Sequence, residues 1–255
     1  MRVAMGVEYN GAAFHGWQTQ GDVRTVQETL EQALSVVADH PVVVQCAGRT
    51  DAGVHGMGQV VHFNTEAQRS ERNWLLGTNV NLPKDVNVNW VRPVAEHFNA
   101  RFSALERSYR YIILNRPTRS SVWQDRVVWI HKPLDSQRMH QAAQYLLGTH
   151  DFTSYRAIGC QAKSPVRTIT HISVTQEADR IFLDVTANAF LHHMVRNIAG
   201  VLIAIGKGEQ PLDWTRQVLE HQDRTLGGVT AQPEGLYLVR VGYPEEFQLP
   251  ENPPL

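Results

Sequence analysis

The sequence predicts an α/β fold of the α+β type, in which two ferredoxin-like halves share one continuous, mixed, mainly antiparallel central sheet flanked by helices. Apolar strand and helix patterns follow one another in the order β-α-β-β-α-β twice along the chain. The chain has 255 residues, 42% hydrophobic and 19% charged, which is typical of a globular protein that can bury a core. We therefore expect an N-terminal half over 1–103 and a C-terminal half over 104–255.

The first half begins with a strand at 2–8, which the Asn10-Gly11 turn ends. Thr25 begins a capping box, which predicts the start of an amphipathic helix that runs to about Asp39. The elements that follow are a strand at 41–46, a glycine-rich loop at 48–58, a strand at 59–64, a short helix around 71–77 and a strand around 86–92.

The second half repeats this order with one inserted strand. A strand at 107–114 is followed by the insertion at 126–131, and Ser136 is expected to cap a helix that Gly148 ends. The remaining elements are a hairpin of 168–176 and 180–187, a helix from near Phe190 to about Gly206, a polar helix at 212–221, a strand at 236–242, and a Pro-rich acidic surface tail after Tyr243.

The loop GRTDAGVHGMG at 48–58 is the first candidate for function. Its glycine spacing fits neither a dinucleotide-binding fingerprint nor a Walker A loop, and no helix follows it. Four glycines allow another molecule to approach the backbone closely, and the loop carries Arg49, Asp51 and His55. The alternative is structural: Asp51 closes an Asx-turn and the glycines only permit positive φ.

The segment NAFLHHMVRNIAG at 188–200 is the second candidate. His192 and Arg196 are four apart, so on a helix they would share a face. A guanidinium in an apolar helix needs a partner, because burying an unpaired charge costs several kcal/mol or more, and Asp51 is a candidate. Adjacent His192 and His193 would point in different directions from a helix, so we predict no metal site here.

An arginine-rich stretch at 101–126 is the third candidate. It has a net charge of +4, although the whole chain has a net charge of −1, and only four of the 24 cationic residues are lysines. Arginine and aromatic side chains together are typical of surfaces that contact phosphates and stack on bases. The alternative is a solvated face with core aromatics. The aromatic residues are Phe102, Tyr109, Tyr111 and Trp123.

The remaining features exclude several classes. Cys46 and Cys160 are too few for a disulfide framework, which favours a reducing cytoplasm. No secretory signal or apolar segment long enough to span a bilayer is expected. Metal-site and serine-hydrolase motifs are missing, and Asp51 is the one carboxylate predicted on a loop built for access.

Five motifs together resemble the tRNA pseudouridine synthase A family. The similarity extends from GVEYNGAAFHGWQ at 6–18 nearly to the C-terminus, with the motifs in the same order. They are GRTDAGVHGMGQVVHF (48–63), FSALERSYRYIILN (102–115), DFTSYRA (151–157), NAFLHHMVRNIAG (188–200) and EGLYLVRVGYP (234–244).

The resemblance implies a pseudouridine synthase fold with an RNA-binding cleft between the halves, in a homodimer without a cofactor. The implied reaction is isomerisation of uridine to pseudouridine at positions 38, 39 and 40 of the tRNA anticodon stem-loop. By motif position Asp51 is the catalytic aspartate, and Tyr109 packs against the target base. Arg196 pairs with the catalytic aspartate, Leu236 lines the pocket, and Arg49 helps to fill the space that a flipped nucleotide leaves.

This reaction breaks the N1–C1′ bond of uridine and rejoins the base through C5, so one carboxylate can suffice. Asp51 could attack C1′ or C6, or deprotonate the ribose to give a glycal, and the sequence leaves these routes open. Two other functions also fit the residues: a structured-RNA-binding protein without catalysis, and a nucleoside hydrolase.

Overall fold

The computed structural model describes residues 1–250, which form ten strands and five α-helices. The strands are β1 (Arg2–Tyr9), β2 (Gln45–Cys46), β3 (His55–Asn64), β4 (Val86–Val94), β5 (Glu106–Asn115), β6 (Val128–Ile130), β7 (Gly148–Asp151), β8 (Val166–Glu177), β9 (Arg180–Ala187) and β10 (Leu236–Gly242). The helices are α1 (Val26–Ala38), α2 (Glu71–Asn81), α3 (Ser136–Ala143), α4 (Met194–Gly206) and α5 (Trp214–His221). The predicted fold class is confirmed: the protein is mixed α/β, with mostly antiparallel strands flanked by helices.

The chain divides into two compact units that differ from the two sequence halves. The first unit contains residues 1–107 and the described residues from 237 onward, and the second contains residues 108–236. The chain therefore leaves the first unit once and returns to it with β10. The division at residue 103, which rests on the repeated element order, stays a prediction about the two halves.

In the first unit the strand order is β4-β1-β3-β10, and β2 pairs with β3. β1 runs antiparallel to β3 and β4, with Met5 opposite Val61. β10 runs parallel to β3, with Tyr237 opposite His55. The apolar face of α1 packs into a core that includes alternate residues of β1, because successive side chains of a strand point to opposite faces. Its members include Val3, Met5, Val7, Leu30, Leu34, Phe63 and Trp74.

In the second unit the strand order is β5-β9-β8-β7, and the short β6 runs parallel to β5. β8 and β9 form the predicted hairpin, and Ala178 at its turn has φ of 52°. The sequence does not predict β7, which pairs antiparallel with β8, because its four residues are too few to show the alternation of apolar and polar residues that is typical of a strand. Helix α3 packs on β8 and on α4. No helix among residues 1–250 is long and apolar enough to cross a bilayer.

The predicted strand at 41–46 is wrong except for its last two residues. Val42 and Val44 are buried while Val43 is 71% exposed, which is the alternation that suggested a strand. Their N–H groups donate to side chains of α1 instead of to a neighbouring strand: Val42 N–H to Ser35 Oγ at 2.9 Å, and Val44 N–H to Glu31 Oε1 at 2.9 Å. Alternating burial without a partner strand leaves an extended segment.

Two predicted helix starts also need correction. Asp135, not Ser136, caps α3, because its Oδ1 accepts the Arg138 N–H at 2.9 Å while Ser136 is the first helical residue. Helix α4 begins at Met194, not near Phe190, since His193 before it has φ of 62°. Thr25 is the N-cap of α1 as predicted, but its hydroxyl makes no capping hydrogen bond.

Other elements fall close to their predicted bounds. The predictions for β1, α1, β4, β5, β9 and β10 are confirmed to within two residues at each end. The polar helix predicted at 212–221 is α5. The helix predicted to end at Gly148 instead ends at Ala143 and is followed by a 3₁₀ turn at Gln144–Leu146, and Gly148, with φ of 94°, begins β7. The tail after Tyr243 begins with a 3₁₀ turn at Glu245–Phe247, and its residues 251–255 lie outside the described part.

Candidate active site

The loop between β2 and β3 is held on the segment that follows β1. The Trp17 N–H donates to the Thr50 carbonyl at 2.9 Å, and the Gly53 N–H donates to the Phe14 carbonyl at 3.3 Å. The hydroxyls of Tyr9 and Thr50 are hydrogen-bonded at 2.8 Å and buried. The loop backbone is therefore held by residues that precede it by about 35 positions in the sequence, and local sequence patterns cannot reveal contacts across such a separation.

Two glycines are required by the way this loop is built. Gly16 has φ of +90°, and a Cβ on it would lie 2.8 Å from the Thr50 carbonyl oxygen. Gly53 has φ of 77° and follows Ala52 in a turn that the Val54 N–H closes on the Asp51 carbonyl at 3.1 Å. A positive φ at the third turn residue is the type II arrangement. The hydrogen bond that closes this turn joins main-chain atoms.

The loop alternates outward and inward side chains around Asp51. Arg49 is exposed, Thr50 is buried and Asp51 is half-buried. Gln59 is completely buried and anchors the start of the loop, because its Nε2 donates to the Gly48 carbonyl at 2.6 Å. The result is a carboxylate that is partly accessible on a backbone with little freedom to move.

His55, predicted to be displayed on the loop, is instead a buried residue at the start of β3. Its Nδ1 accepts the Gly11 N–H at 3.0 Å, so that nitrogen carries no proton. Its ring stacks on Tyr237, with centroids 4.5 Å apart and planes at 20°. His55 thus fixes the turn after β1 and packs against β10, a role that its position in a glycine-rich loop did not suggest.

Arg196 lies on the first turn of α4 and is half-buried. Its Nε donates to the Ala231 carbonyl at 2.8 Å, and the Ala231 N–H donates back to the Arg196 carbonyl at 3.1 Å. The segment before β10 therefore orients the guanidinium. His192 lies before the helix, so it does not share a helical face with Arg196, and its ring lies 4.0 Å from that of His193.

A partly buried hydrogen-bond network next to Arg196 supports the segment before β10. Asn197, 2% exposed, donates from Nδ2 to the Tyr155 carbonyl at 2.8 Å. Its Oδ1 accepts from Arg224 at 3.0 Å and from Thr230 at 2.7 Å, and Arg224 also donates to Thr230 at 2.8 Å. Sequence reasoning missed Arg224 and Thr230; the only signal was a polar Asn197 in an apolar helix.

Tyr109 and Leu236 are the remaining predicted site residues, and both are buried. Tyr109 lies on β5 and meets the Phe190 ring edge to face, with centroids 4.9 Å apart. Tyr111, two residues on, is fully buried, its hydroxyl donates to the Gln232 carbonyl at 2.8 Å, and burial raises its pKa. Tyr111 is thus a core residue, as the structural alternative had it.

The five predicted site residues are divided between the units. Arg49 and Asp51 belong to the first unit, and Tyr109, Arg196 and Leu236 belong to the second. The pairing of Asp51 with Arg196 stays a prediction.

The arginine-rich stretch is only partly available to a ligand. Arg110 makes a bidentate ion pair with Asp184 at 2.7 and 3.0 Å, and Arg116 pairs with Asp179 at 3.1 Å. Arg107 donates to main-chain carbonyls of its own unit. The exposed members are Arg101, Arg119 and Arg126. Local sequence could not sort these side chains, because their partners lie as much as 74 positions away.

Comparison with known proteins identifies the class. A family model described as tRNA pseudouridine synthase matches residues 5–103 and 142–244, which is most of the chain. The chain belongs to this family, and it is therefore an enzyme, a pseudouridine synthase.

Individual relatives agree over nearly the full length. Proteins named tRNA pseudouridine synthase A are 58% identical in Pseudomonas aeruginosa and 59% identical in Nitrosococcus oceani. The alignments cover 98% of this chain in both cases, with 88% and 96% of the relatives. Among solved structures, a Cbf5-Nop10-Gar1 complex matches with a TM-score of 0.42 at 11% identity, covering 93% of this chain and 49% of that one, which is too weak to support an argument.

Proposed function

We propose that the enzyme converts uridine to pseudouridine at positions 38, 39 and 40 of the tRNA anticodon stem-loop, with Asp51 as its catalytic carboxylate. One observation carries the assignment: Asp51 is a half-buried carboxylate on a turn whose main chain is hydrogen-bonded to Phe14 and Trp17. Preorganised groups of this kind lower a barrier because little reorganisation is left for the reaction step. The positions in tRNA follow from the family resemblance.

The chemistry conserves every atom. The N1–C1′ bond of uridine breaks, the base turns within the site, and a C5–C1′ bond forms while C5 loses a proton and N1 gains one. Asp51 acts either as a nucleophile toward the sugar or the uracil ring, or as a general base that removes a proton from the ribose. The later removal of the proton from C5 also needs a general base. No oxidant, reductant or cofactor enters this balance.

The other predicted residues have supporting roles in this proposal. Arg196, oriented by the Ala231 carbonyl, pairs with the Asp51 carboxylate and keeps it directed at the substrate. Tyr109 packs on the target base, which must leave the stack at a cost of roughly a few kcal/mol. Leu236 provides an apolar wall that excludes water, and Arg49 takes part of the space that the flipped nucleotide leaves.

The test is the replacement of Asp51 by Asn, which keeps the side-chain size and leaves the main-chain turn unchanged. We expect pseudouridine formation to fall by at least about three orders of magnitude, because loss of a catalytic nucleophile or base has effects of this size. Binding of tRNA should survive. Pseudouridine is mapped by carbodiimide treatment and primer extension on an unmodified tRNA transcript.

Asp39→Asn is the matched control. Asp39 is exposed, ends α1 and has φ of 60°, a conformation that asparagine also adopts readily. This control should retain full activity. Substantial turnover by Asp51→Asn would remove Asp51 from the mechanism, and stops at positions other than 38, 39 and 40 would overturn the site assignment. Release of free uracil would indicate a nucleoside hydrolase, and binding without new stops would indicate an RNA-binding protein.

We also propose that the enzyme acts as a homodimer in the cytoplasm. The dimer rests on the family resemblance, and the compartment rests on the two cysteines, neither of which is in a disulfide. Size-exclusion chromatography with light scattering at moderate and high salt measures the mass, and a monomer at both salt concentrations would contradict the dimer. Cell fractionation followed by immunodetection tests the compartment.

A further inference from the structure

The loop at 99–105 in the first unit displays an aromatic ring and a guanidinium to solvent. Phe102 is 78% exposed and Leu105 is 61% exposed. The Arg101 guanidinium lies over the Phe102 ring, 5.3 Å from its centroid. Large apolar side chains scattered singly on a surface need no explanation, but a ring with a cation stacked on it presents a recognisable chemistry.

The exposure of Phe102 is fixed by the loop around it. Asn99 Oδ1 accepts the N–H groups of Arg101 and Phe102, both at 3.0 Å. The Asn99 N–H donates to Ser103 Oγ at 3.0 Å, and the Ser103 N–H donates to the Asn99 carbonyl at 2.9 Å. Because these hydrogen bonds hold the backbone, the ring is already presented in one place, and little ordering entropy remains for binding.

Arg107 connects this loop to the loop that carries Asp51. Its Nη2 donates to the Arg101 carbonyl at 2.7 Å and to the Ala47 carbonyl at 3.0 Å, and its Nη1 donates to the Ala104 carbonyl at 3.2 Å. Ala47 immediately precedes the GRTD sequence. The half-buried Arg107 guanidinium therefore fixes the positions of both loops within the first unit.

Positive charge accumulates between the two loops. Arg107 donates to the Ala47 carbonyl, two residues before Arg49, and to the Arg101 carbonyl, so one side chain anchors the main chains that carry both arginines. Burial raises the pKa of the Cys46 thiol to about 12, and the charges of Arg49 and Arg101 oppose that rise. The neighbouring Glu106 is paired with Arg240 at 3.1 Å. The two loops thus carry two exposed guanidiniums and an exposed ring, and the carboxylate that follows Leu105 in the chain is paired with an arginine.

We propose that the loop at 99–105 is an RNA-contact element, in which Phe102 stacks on an unpaired base of the tRNA while Arg101 contacts a flanking phosphate. This inference rests on the proposed function, because it assumes a tRNA substrate, and it adds a binding surface to it. Aromatic rings next to arginines bind single-stranded nucleotides in this way. A second protein copy fits less well, since a stable interface buries roughly 800 Å² per partner with few charges in its centre.

Phe102→Ala tests the stacking. We expect the dissociation constant for an unmodified tRNA transcript, measured by fluorescence anisotropy, to rise about ten-fold, since loss of one base–aromatic stack has this order of effect. The rise should appear in KM rather than in kcat. Phe102→Trp, which keeps a ring, should restore binding. Val80→Ala, an 84% exposed apolar residue on α2, is the matched control and should bind as the unaltered protein does.

Arg101→Ala tests the phosphate contact. The slope of log Kd against log salt concentration should decrease by about 0.7 to 0.9, because each phosphate contact releases about that many counterions. Arg69→Ala removes another exposed arginine from the same unit and should leave the slope unchanged.

Unchanged tRNA binding by Phe102→Ala would overturn the proposal. A difference in oligomeric mass between this variant and the unaltered protein, both measured without RNA, would also overturn it, because it would mark the loop as a protein interface. Wild-type pseudouridine formation is measured separately. A protein that forms no pseudouridine but loses RNA affinity through Phe102 would contradict the proposed reaction and leave this contact standing.

Discussion

Asp51 and Arg49 are separated by one buried residue, and that residue explains why neither side chain lies in the core. Thr50 points inward and bonds the Tyr9 hydroxyl, so its two neighbours are directed away from the core. The same alternation on β5 buries Tyr109 and Tyr111, but gives them different surroundings. Tyr111 donates to the Gln232 carbonyl, whereas Tyr109 meets the ring of Phe190. The residue type alone did not distinguish the core tyrosine from the candidate substrate-binding one.

Tyr109→Phe and Tyr109→Leu separate the ring from the hydroxyl. If the ring packs on the target base, Phe should keep kcat/KM within about ten-fold, because one peripheral hydrogen bond contributes about 1 kcal/mol. Leu, which keeps apolar volume without the aromatic face, should lose at least about a hundred-fold. Steady-state kinetics on unmodified tRNA measure both, with melting temperatures to verify folding. A larger loss in Phe than in Leu would assign the role to the hydroxyl.

At the scale of elements, the starts of α3 and α4 in the second unit show how neighbours override local signals. Serine is as good a capping residue as aspartate, yet Ser136 turns its hydroxyl to Gln176 Oε1 at 2.9 Å while Asp135 caps α3. The sequence predicts that the polar residues before α4 belong to the helix, because their apolar neighbours fit a helical period. His193 in a left-handed conformation ends that period.

Asp135→Ala should destabilise the protein by about 1 kcal/mol, the usual cost of losing an N-cap. Ser136→Ala should cost less than about 0.5 kcal/mol, because its hydroxyl bond is exposed. Urea unfolding followed by circular dichroism measures both free energies of unfolding. If Ser136→Ala were the more destabilising change, the helix would begin one residue later than described.

At the scale of the molecule, the path of the chain decides which residues complete each unit. The chain leaves the first unit after Arg107 and returns to it at Tyr237, where β10 lies parallel to β3. Parallel neighbours need a long connection, and here the second unit supplies it. The first unit is therefore built from both ends of the sequence.

A buried histidine in the first unit makes stability depend on pH. Burial first, and then the charge of Arg2, lower the pKa of His62 to about 4, and its Nδ1 accepts the Ala100 N–H at 3.1 Å. The unfolded chain binds this proton near the ordinary value of about 6.5. Stability from His62 is thus fully present above pH 6.5 and is lost as the pH falls toward 4, because the unfolded state then binds more protons.

The free energy of unfolding should therefore drop between pH 7.5 and pH 4.5 by a His62 contribution of about 2 to 3 kcal/mol. His62→Gln removes the titrating group and should flatten this part of the profile, even if it lowers stability throughout. Urea unfolding at several pH values gives the comparison with the unaltered protein. An equally steep profile in the variant would assign the pH dependence to other groups.

The amino-acid sequence by itself determined the fold class and most strands and helices, because period and turn residues are local properties. It predicted the five candidate site residues through motifs that resemble those of a known family. It predicted Asp51 on an accessible loop, and the structure has it half-buried on a fixed turn. Only the tertiary structure decided that Gly16 and Gln59 hold that loop, that His55 is buried, and that Arg107 fixes two loops while Arg101 is exposed. Each of these depends on a hydrogen bond or a contact between residues far apart in the chain, which no local pattern contains.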